Sequence, residues 1–439
     1  MVNLRTQQRD GSVSERRQAM RARAVWKSTV AGLAAVLFGA GVAPVSAQNP
    51  PSPFPASDVP AGYLVFPKIQ VNTQPTGPAD PVTETVVQLT NTSQNARNVH
   101  CFFVSGTDCQ PFNFNIALSP GQPFAWQVSN GSSTPLIAGR DPFLGELKCI
   151  EVNNQNVPLP VNANDLKGEA SIYTFRRVNG VVQDVDTSTY NAIGFQTSVV
   201  STSEPPDAQR VCVGSQTVCT AGGTQCGAGS CGAGRCTSGT NDGKGCNVNT
   251  DCPLGECNAL MCLGATTGTG SPCPTANYAA CPDTLILNNF FDQAPDPGDA
   301  NQRKITNRLT LVPCTEDLST DEPEAITVVQ FLIFNEFEQR MSTATRVQCY
   351  SDTPLSNIDT KPGGEAGSVF NVGVQGTLAG QTRIRGVKDG NLSIGQGLLA
   401  VAQEFRTDSI TGGVASTAVN LNEVGLPAGK GDFVRYTPQ

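Results

Sequence analysis

Cysteine and histidine set the limits on chemistry in this chain of 439 residues, which has sixteen of the first and one of the second. A single histidine, His100, rules out a multi-histidine zinc site and a His-Glu-x-x-His metalloprotease motif. Neighbouring strand residues point to opposite faces, so His100 and Cys101 do not make a nucleophile pair, and His100 is expected to be structural. No Cys-x-x-Cys occurs, which removes the thioredoxin-type redox motif and the zinc knuckle. There is no Gly-x-Ser-x-Gly elbow and no phosphate-binding loop, since Gly227-Ala-Gly-Ser-Cys-Gly232 is a turn between cysteines. No catalytic residue is assigned. Disulfide formation is the chemistry left to Cys101, Cys109, Cys149, Cys212, Cys219, Cys226, Cys231, Cys236, Cys246, Cys252, Cys257, Cys262, Cys273, Cys281, Cys314 and Cys349.

Oxygen donors offer one metal pattern. Asn247, Asn249 and Asp251 alternate, with Glu256 five residues on, as donors do in calcium loops. Cys252 stands where an EF-hand carries its glycine, and Asx turns use the same residue types. Asp292, Asp296 and Asp299 form a weaker acidic loop. No other cofactor is expected. Carboxylate pairs for glycoside hydrolysis are defined by spatial separation; in sequence, Glu336 with Glu338 and Asp184 with Asp186 share strand faces whose default is solvation. Trp126, beside Phe124 and Val128, is expected in a core, not as a sugar platform.

Eleven of the cysteines fall between Cys212 and Cys281, among Gly, Thr, Asn, Ala and Pro residues that cannot bury a conventional core. Cys212, Cys219, Cys226 and Cys231 form one four-cysteine module, and Cys236, Cys246, Cys252 and Cys257 a second. Each module closes two bonds in one of three ways. Cys262, Cys273 and Cys281 remain, so full pairing requires a bond from this insert to Cys101, Cys109, Cys149, Cys314 or Cys349.

Such cross-linking belongs to an oxidising compartment, and the start of the chain supplies a route. Arg16, Arg17, Arg21, Arg23 and Lys27 precede an apolar run from Thr29 to Val45, and Val45-Ser46-Ala47 offers a cleavage point before Gln48. Residues 1–47 are therefore expected to be a removed signal peptide, leaving a mature chain with no membrane span, in the periplasm, on the cell surface or outside the cell. The leader holds 7 of the 29 basic and 2 of the 37 acidic residues, so the remainder balances 22 against 35, near −13. That charge, without a basic patch, excludes nucleic acid as a partner.

A Pro-rich spacer, 48–60, leads into short apolar runs at strand length. These are 63–71, 84–90, 97–104, 112–118, 123–128, 144–152, 169–176 and 192–200, then 284–289, 308–312, 326–337, 345–350, 369–376, 382–387, 397–405 and 415–422. Thr85 to Ser93 followed by Asn98 to Phe103 reads as strand, turn, strand, and Thr327-Val-Val-Gln-Phe331 repeats Thr85-Val-Val-Gln-Leu89. The first of these stretches resembles the hairpin of bacterial immunoglobulin-like domains. The second cysteine module, with Leu309 to Cys314 and Val329 to Arg340, resembles exported Cys-repeat proteins of Gram-negative bacteria. That resemblance implies export and disulfides and carries no activity.

The expectation is an all-β protein: an immunoglobulin-like sandwich over 61–203, a Cys-rich insert over 204–282 and a second sandwich over 283–439. Its function is expected to be that of a non-enzymatic structural or interaction protein, with a protein or cell-surface partner and an oligomeric state left open. A secreted polysaccharide hydrolase and a calcium-dependent adhesin are the alternatives.

Overall fold

Side chains alternate across a strand, so a strand with apolar residues at consecutive positions needs cover on both faces. Tyr63-Leu-Val-Phe66, Cys101-Phe-Phe-Val104 and Cys149-Ile150 are of this kind. The computed structural model describes residues 55–75, 81–129, 140–158, 163–178, 181–197, 211–213, 230–232, 234–240, 245–246, 249–258, 261–263, 276–318, 326–359, 364–387, 396–410, 412–423 and 432–435. The expected leader lies outside them. The protein is mostly β-structure, built largely from antiparallel sheets.

The N-terminal half contributes β1 (Tyr63–Val71), β2 (Val82–Asn91), β3 (Arg97–Ser105), β4 (Pro111–Leu118), β5 (Pro123–Gln127), β6 (Phe143–Val152), β7 (Leu166–Val178), β8 (Val181–Asn191) and β9 (Ile193–Phe195). They form a five-stranded sheet, β4-β3-β6-β1-β9, and a four-stranded sheet, β5-β2-β7-β8. Leu64, Phe66, Val99, Phe103 and Leu147 of the first meet Val87, Leu89, Trp126, Leu166 and Ile172 of the second in one apolar cluster. Cys101 and Cys149, opposite each other on β3 and β6, are bonded inside it.

Short strands mark the insert: β10 (Val211–Val213), β11 (Ser230–Gly232), β12 (Gly234–Thr237), β13 (Gly245–Cys246), β14 (Glu256–Asn258), β15 (Met261–Leu263) and β16 (Ala276–Tyr278). The C-terminal half follows with β17 (Thr284–Phe290), β18 (Pro295–Asp296), β19 (Asp299–Pro313), β20 (Glu316–Asp317), β21 (Ile326–Asn335), β22 (Arg340–Gln348), β23 (Ser351–Pro354), α1 (Leu355–Ile358), α2 (Val372–Gln375), β24 (Ala379–Val387), β25 (Leu398–Asp408), β26 (Val414–Asn420), β27 (Asn422–Glu423) and β28 (Phe433–Arg435). Sheet β22-β21-β24-β17-β27 and sheet β18-β19-β25-β26, with β23 alongside β19, enclose Leu285, Phe331, Ile333, Leu309, Ile384 and Ala400.

A third cluster joins the halves. Tyr63, Val65, Phe102, Val104, Ile150 and Val152 emerge from the other face of the five-stranded sheet and meet Val312 and Leu399 of β19 and β25. Val211, Tyr278 and Val434 complete it from a small sheet, β16-β10-β28-β20, in which β28 runs parallel to β10 and β20. The insert is therefore rooted in the junction by both ends. At a second contact, Ser416 N on β26 donates to Asp186 on β8, and Gln403 on β25 donates to Ser188. Gly106 lets Tyr350 approach, because a Cβ there would lie 2.3 Å from Tyr350 Cδ1 and 2.9 Å from the Leu144 carbonyl oxygen.

The structure alters three sequence expectations. β2 and β3 are not a hairpin but belong to different sheets, whereas β21 and β22 are a hairpin. The likeness of Thr85–Leu89 to Thr327–Phe331 is thus one of strand composition, since branched and aromatic residues suit any half-buried strand. Within 369–376 the chain turns into α2 instead of a strand. Asn371 caps it by accepting from Gly373 N at 2.8 Å, and Gly376 ends it at φ 68, a left-handed conformation natural to glycine. β8, whose run is mostly polar, is absent from the expected strands; its cover comes from β26 of the distant half.

Cys109–Cys349 bonds the two halves across 240 residues, and both cysteines adopt left-handed backbone, with φ of 58 and 46. Closing so long a loop restricts the unfolded chain. Replacing both with serine is expected to lower the unfolding free energy by about 3–5 kcal/mol in urea denaturation. A loss below about 1 kcal/mol would mean that burial at the junction holds the halves without the bond.

Candidate functional site

Charged residues on the outward face of β6 do not reach water. Glu146 and Lys148 sit two positions apart, hence on one face, and are 0% and 1% exposed. Across the junction β20 brings Glu316, held there because β20 pairs with β28 and β28 with β10. Lys148 Nζ donates to both Glu146 Oε1 and Glu316 Oε2.

A second pair lies where the register of β1 against β6 shifts between Phe66 and Ile69. Lys68 Nζ donates to Asp352 Oδ1 at 2.7 Å, and Asp352 also accepts from Arg308 Nε at 2.6 Å and Thr310 Oγ1 at 2.7 Å. The Tyr190 hydroxyl clamps the same turn of β1, accepting from Lys68 N at 3.0 Å and donating to the Lys68 carbonyl. Both lysines belong to the N-terminal half, and Glu316 and Asp352 to the C-terminal half.

Burial and charge act against each other here. Burial pushes the Glu146 carboxyl up to about 8; Lys148 opposes that shift and Glu316 reinforces it. Burial alone would depress Lys148, but the two carboxyls outweigh it and hold the ammonium above its ordinary value. Lys68 is lowered by burial despite Asp352, whereas Asp352, although buried, is held low by Lys68 and Arg308. Tyr63 and Tyr350, both buried, are pushed well above the ordinary phenol value, by burial first and Glu146 among the charges. The arrangement pairs charge and shares protons among buried side chains.

Other buried acids brace loops. Asp292 accepts from Asn307 N at 2.7 Å and Ser356 N at 3.0 Å, and Asp296 meets Arg406 at 3.0 Å. Burial raises Glu151 to about 7, with Asp165 adding to the shift and Arg97 opposing it. Burial raises Asp432 to about 6, although Thr315 donates to it at 2.7 Å.

Of the calcium candidates, Asn247 lies outside the described residues, and Asn249 Oδ1 accepts from Cys257 N at 2.8 Å, a bond that ties the short helical turn to β14. Asp251 ends the short helical turn that begins at Asn249, and Glu256 is exposed on β14. Among the described residues no cluster of three or more His, Cys, Asp or Glu side chains is placed to hold a metal. Glu336 and Glu338 are exposed at the turn between β21 and β22, not on a strand. Asp186 accepts from Ser416. His100 is buried with its ring 4.3 Å from that of Phe102, and burial lowers its pKa. Trp126 is in the core, packed edge-on to Phe114.

Among the cysteines, Cys236 bonds Cys252, the first and third of the second module, and Cys257 is bonded as well. Cys281 bonds Cys314, so the insert is tied to the body as the odd count requires. Cys231 and Cys262 are register partners on β11 and β15, and Cys212 and Cys246 lie on β10 and β13. Cys219, Cys226 and Cys273 lie outside the described residues. A cleft of about 420 Å³ opens beside the junction, with Asp58, Asn420, Pro282 and Leu399 in its lining.

The residues that sequence reading missed, Lys68, Glu146, Lys148, Glu316 and Asp352, left one signal: Glu146 and Lys148 interrupt an apolar strand run at the spacing that puts them on one face.

Truncating one member of a buried pair strands the other charge. Lys68→Met is expected to destabilise by about 3–5 kcal/mol, and Lys68→Met with Asp352→Leu to recover most of that loss, read by urea denaturation. No recovery in the double variant would mean that Lys68 acts through packing. Glu151 and Asp432 keep protons in the folded state that the unfolded chain releases near pH 4. Their contribution is therefore complete below about pH 4 and lost as pH rises through 6 and 7. The melting temperature is expected to fall between about pH 4 and 7, and Glu151→Gln to flatten that slope.

No family model matches the chain, and no curated protein matches it. Among solved structures, Thermotoga maritima 1070 aligns with 31% of this chain and 95% of its own, at 14% identity and a TM-score of 0.21. The PBSX exported protein XepA aligns over 76% and 84%, at 6% identity and a TM-score of 0.15. The CupB6 tip adhesin from Pseudomonas aeruginosa aligns over 84% and 94%, at 12% identity and a TM-score of 0.12. At those TM-scores the similarity carries no argument about fold or role.

Proposed function

We propose that this chain is an exported, disulfide-stabilised structural or interaction protein of the cell envelope or extracellular space. Two immunoglobulin-like sandwiches form the body, and the Cys-rich insert presents the binding surface. The observation that carries this reading is the set of cross-links: Cys101–Cys149 within a core, Cys109–Cys349 between halves and Cys281–Cys314 between insert and body. Bonds so placed suit a protein that works in an oxidising compartment and keeps its surfaces in fixed relation. The insert is stapled within itself by Cys236–Cys252, so its polar loops meet a partner at little ordering cost.

Hydrolysis receives less support. Glu146 and Glu316 are sealed beneath both halves, and the cleft beside the junction has one carboxylate, Asp58, among its lining residues, where glycoside hydrolysis uses two.

Fractionation of native cells with surface-protease shaving and a crosslinker tests the proposal. Mature chain beginning at Gln48, exposed on the surface and crosslinked to a partner, is the expected result. The Cys236→Ser, Cys252→Ser variant is expected to lose that partner while the melting transition of the body is unchanged. A free monomer in every fraction would sink the interaction role, and unfolding throughout would make the insert structural.

A further inference from the structure

Lys148 is placed between two carboxyls that belong to different parts of the chain. Glu146 is its neighbour on the same strand face, and Glu316 arrives from the opposite half, 168 residues away. All three are buried, and the hydrophobic residues Tyr63, Ile150 and Val434 share the cluster around this face. A lysine held against one carboxyl and beside a second has the parts for amide formation: a nucleophile, an electrophile and a proton carrier. We propose that Lys148 and Glu316 condense spontaneously to an intramolecular amide that covalently joins the two halves, with Glu146 as the catalytic acid and base.

The step balances without a co-reactant. The ion pair first passes a proton from the Lys148 ammonium to Glu316, giving a free amine and a neutral acid; exclusion of water makes the neutral pair far less costly than in solution. Lys148 Nζ attacks Glu316 Cδ, forming the C–N bond. Protonated Glu146 gives its proton to the departing hydroxyl, the C–O bond breaks and one water is released, and the Glu146 carboxylate so formed takes the proton leaving nitrogen. Glu146 ends as it began. Its carboxyl is poised for this, because burial and the neighbouring Glu316 keep it protonated near neutrality.

The second buried lysine shows what the first has in addition. Lys68 contacts a single carboxyl, Asp352, which also accepts from Arg308 and Thr310 and is thereby held ionised, a poor electrophile. No second acid stands beside it in its hydrogen bonds. Lys68–Asp352 therefore remains an ion pair, and Lys148–Glu316 condenses.

The full chain, purified from an oxidising compartment, is reduced, denatured and weighed by mass spectrometry, then digested and sequenced. The expected result is a mass lower than the sequence requires by one water, carried by a branched peptide joining Lys148 to Glu316. Glu146→Gln, which keeps a hydrogen-bonding side chain of the same size, is expected to restore the unmodified mass. Wild-type chain at the full sequence mass, or a water loss located elsewhere, overturns the proposal outright, whether or not the variant folds. Persistence of the branched peptide in Glu146→Gln overturns the role of Glu146.

Discussion

Covering both faces of the central strands β3, β6 and β1 removes water from most of the polar side chains they carry outward, which must then be satisfied from within the protein. Glu146 and Lys148 on β6, and Lys68 at the irregular point of β1, meet that demand through Glu316 and Asp352 of the other half. Buried ion pairs are weak contributors to stability compared with apolar packing of the same volume, but they penalise every docking that leaves one partner alone. At this junction they select one relation between the halves.

The apolar residues around them supply the driving force. Tyr63, Phe102, Ile150 and Leu399 are non-directional in their attraction, and alone they would accept several registers. Charge pairs give direction, and the Cys109–Cys349 bond makes the choice permanent once oxidised. The small sheet β16-β10-β28-β20 reinforces the same contact by gathering both roots of the insert, a strand near the end of the chain and Glu316's own strand onto one buried face. Insert, halves and ionic cluster are consequently parts of one interface.

The same burial shapes the chemistry of the groups at the junction. The raised pKa values of Glu146, Tyr63 and Tyr350 arise first from burial at the junction. Exposed acids such as Glu336 and Glu338, by contrast, sit on a hairpin turn in water.

Much of the β-structure was legible in the residues. Runs such as 63–71, 97–104, 284–289 and 326–337 coincide with β1, β3, β17 and β21 to within a few residues, because period-two burial and turn formers are local properties. Trp126 in the core and a bond leaving the insert also followed from neighbours and from counting, while its partner Cys314 did not. Other features depended on residues far away. That β2 and β3 part into different sheets, that polar β8 is covered by β26 and that Lys148 faces Glu316 are facts of long-range pairing, which strand composition does not encode. Sequence by itself determined most of the strands and the need for cross-links. Tertiary structure decided which faces meet and so which charges are deprived of water, because desolvation belongs to the assembled interface and not to any segment of the chain.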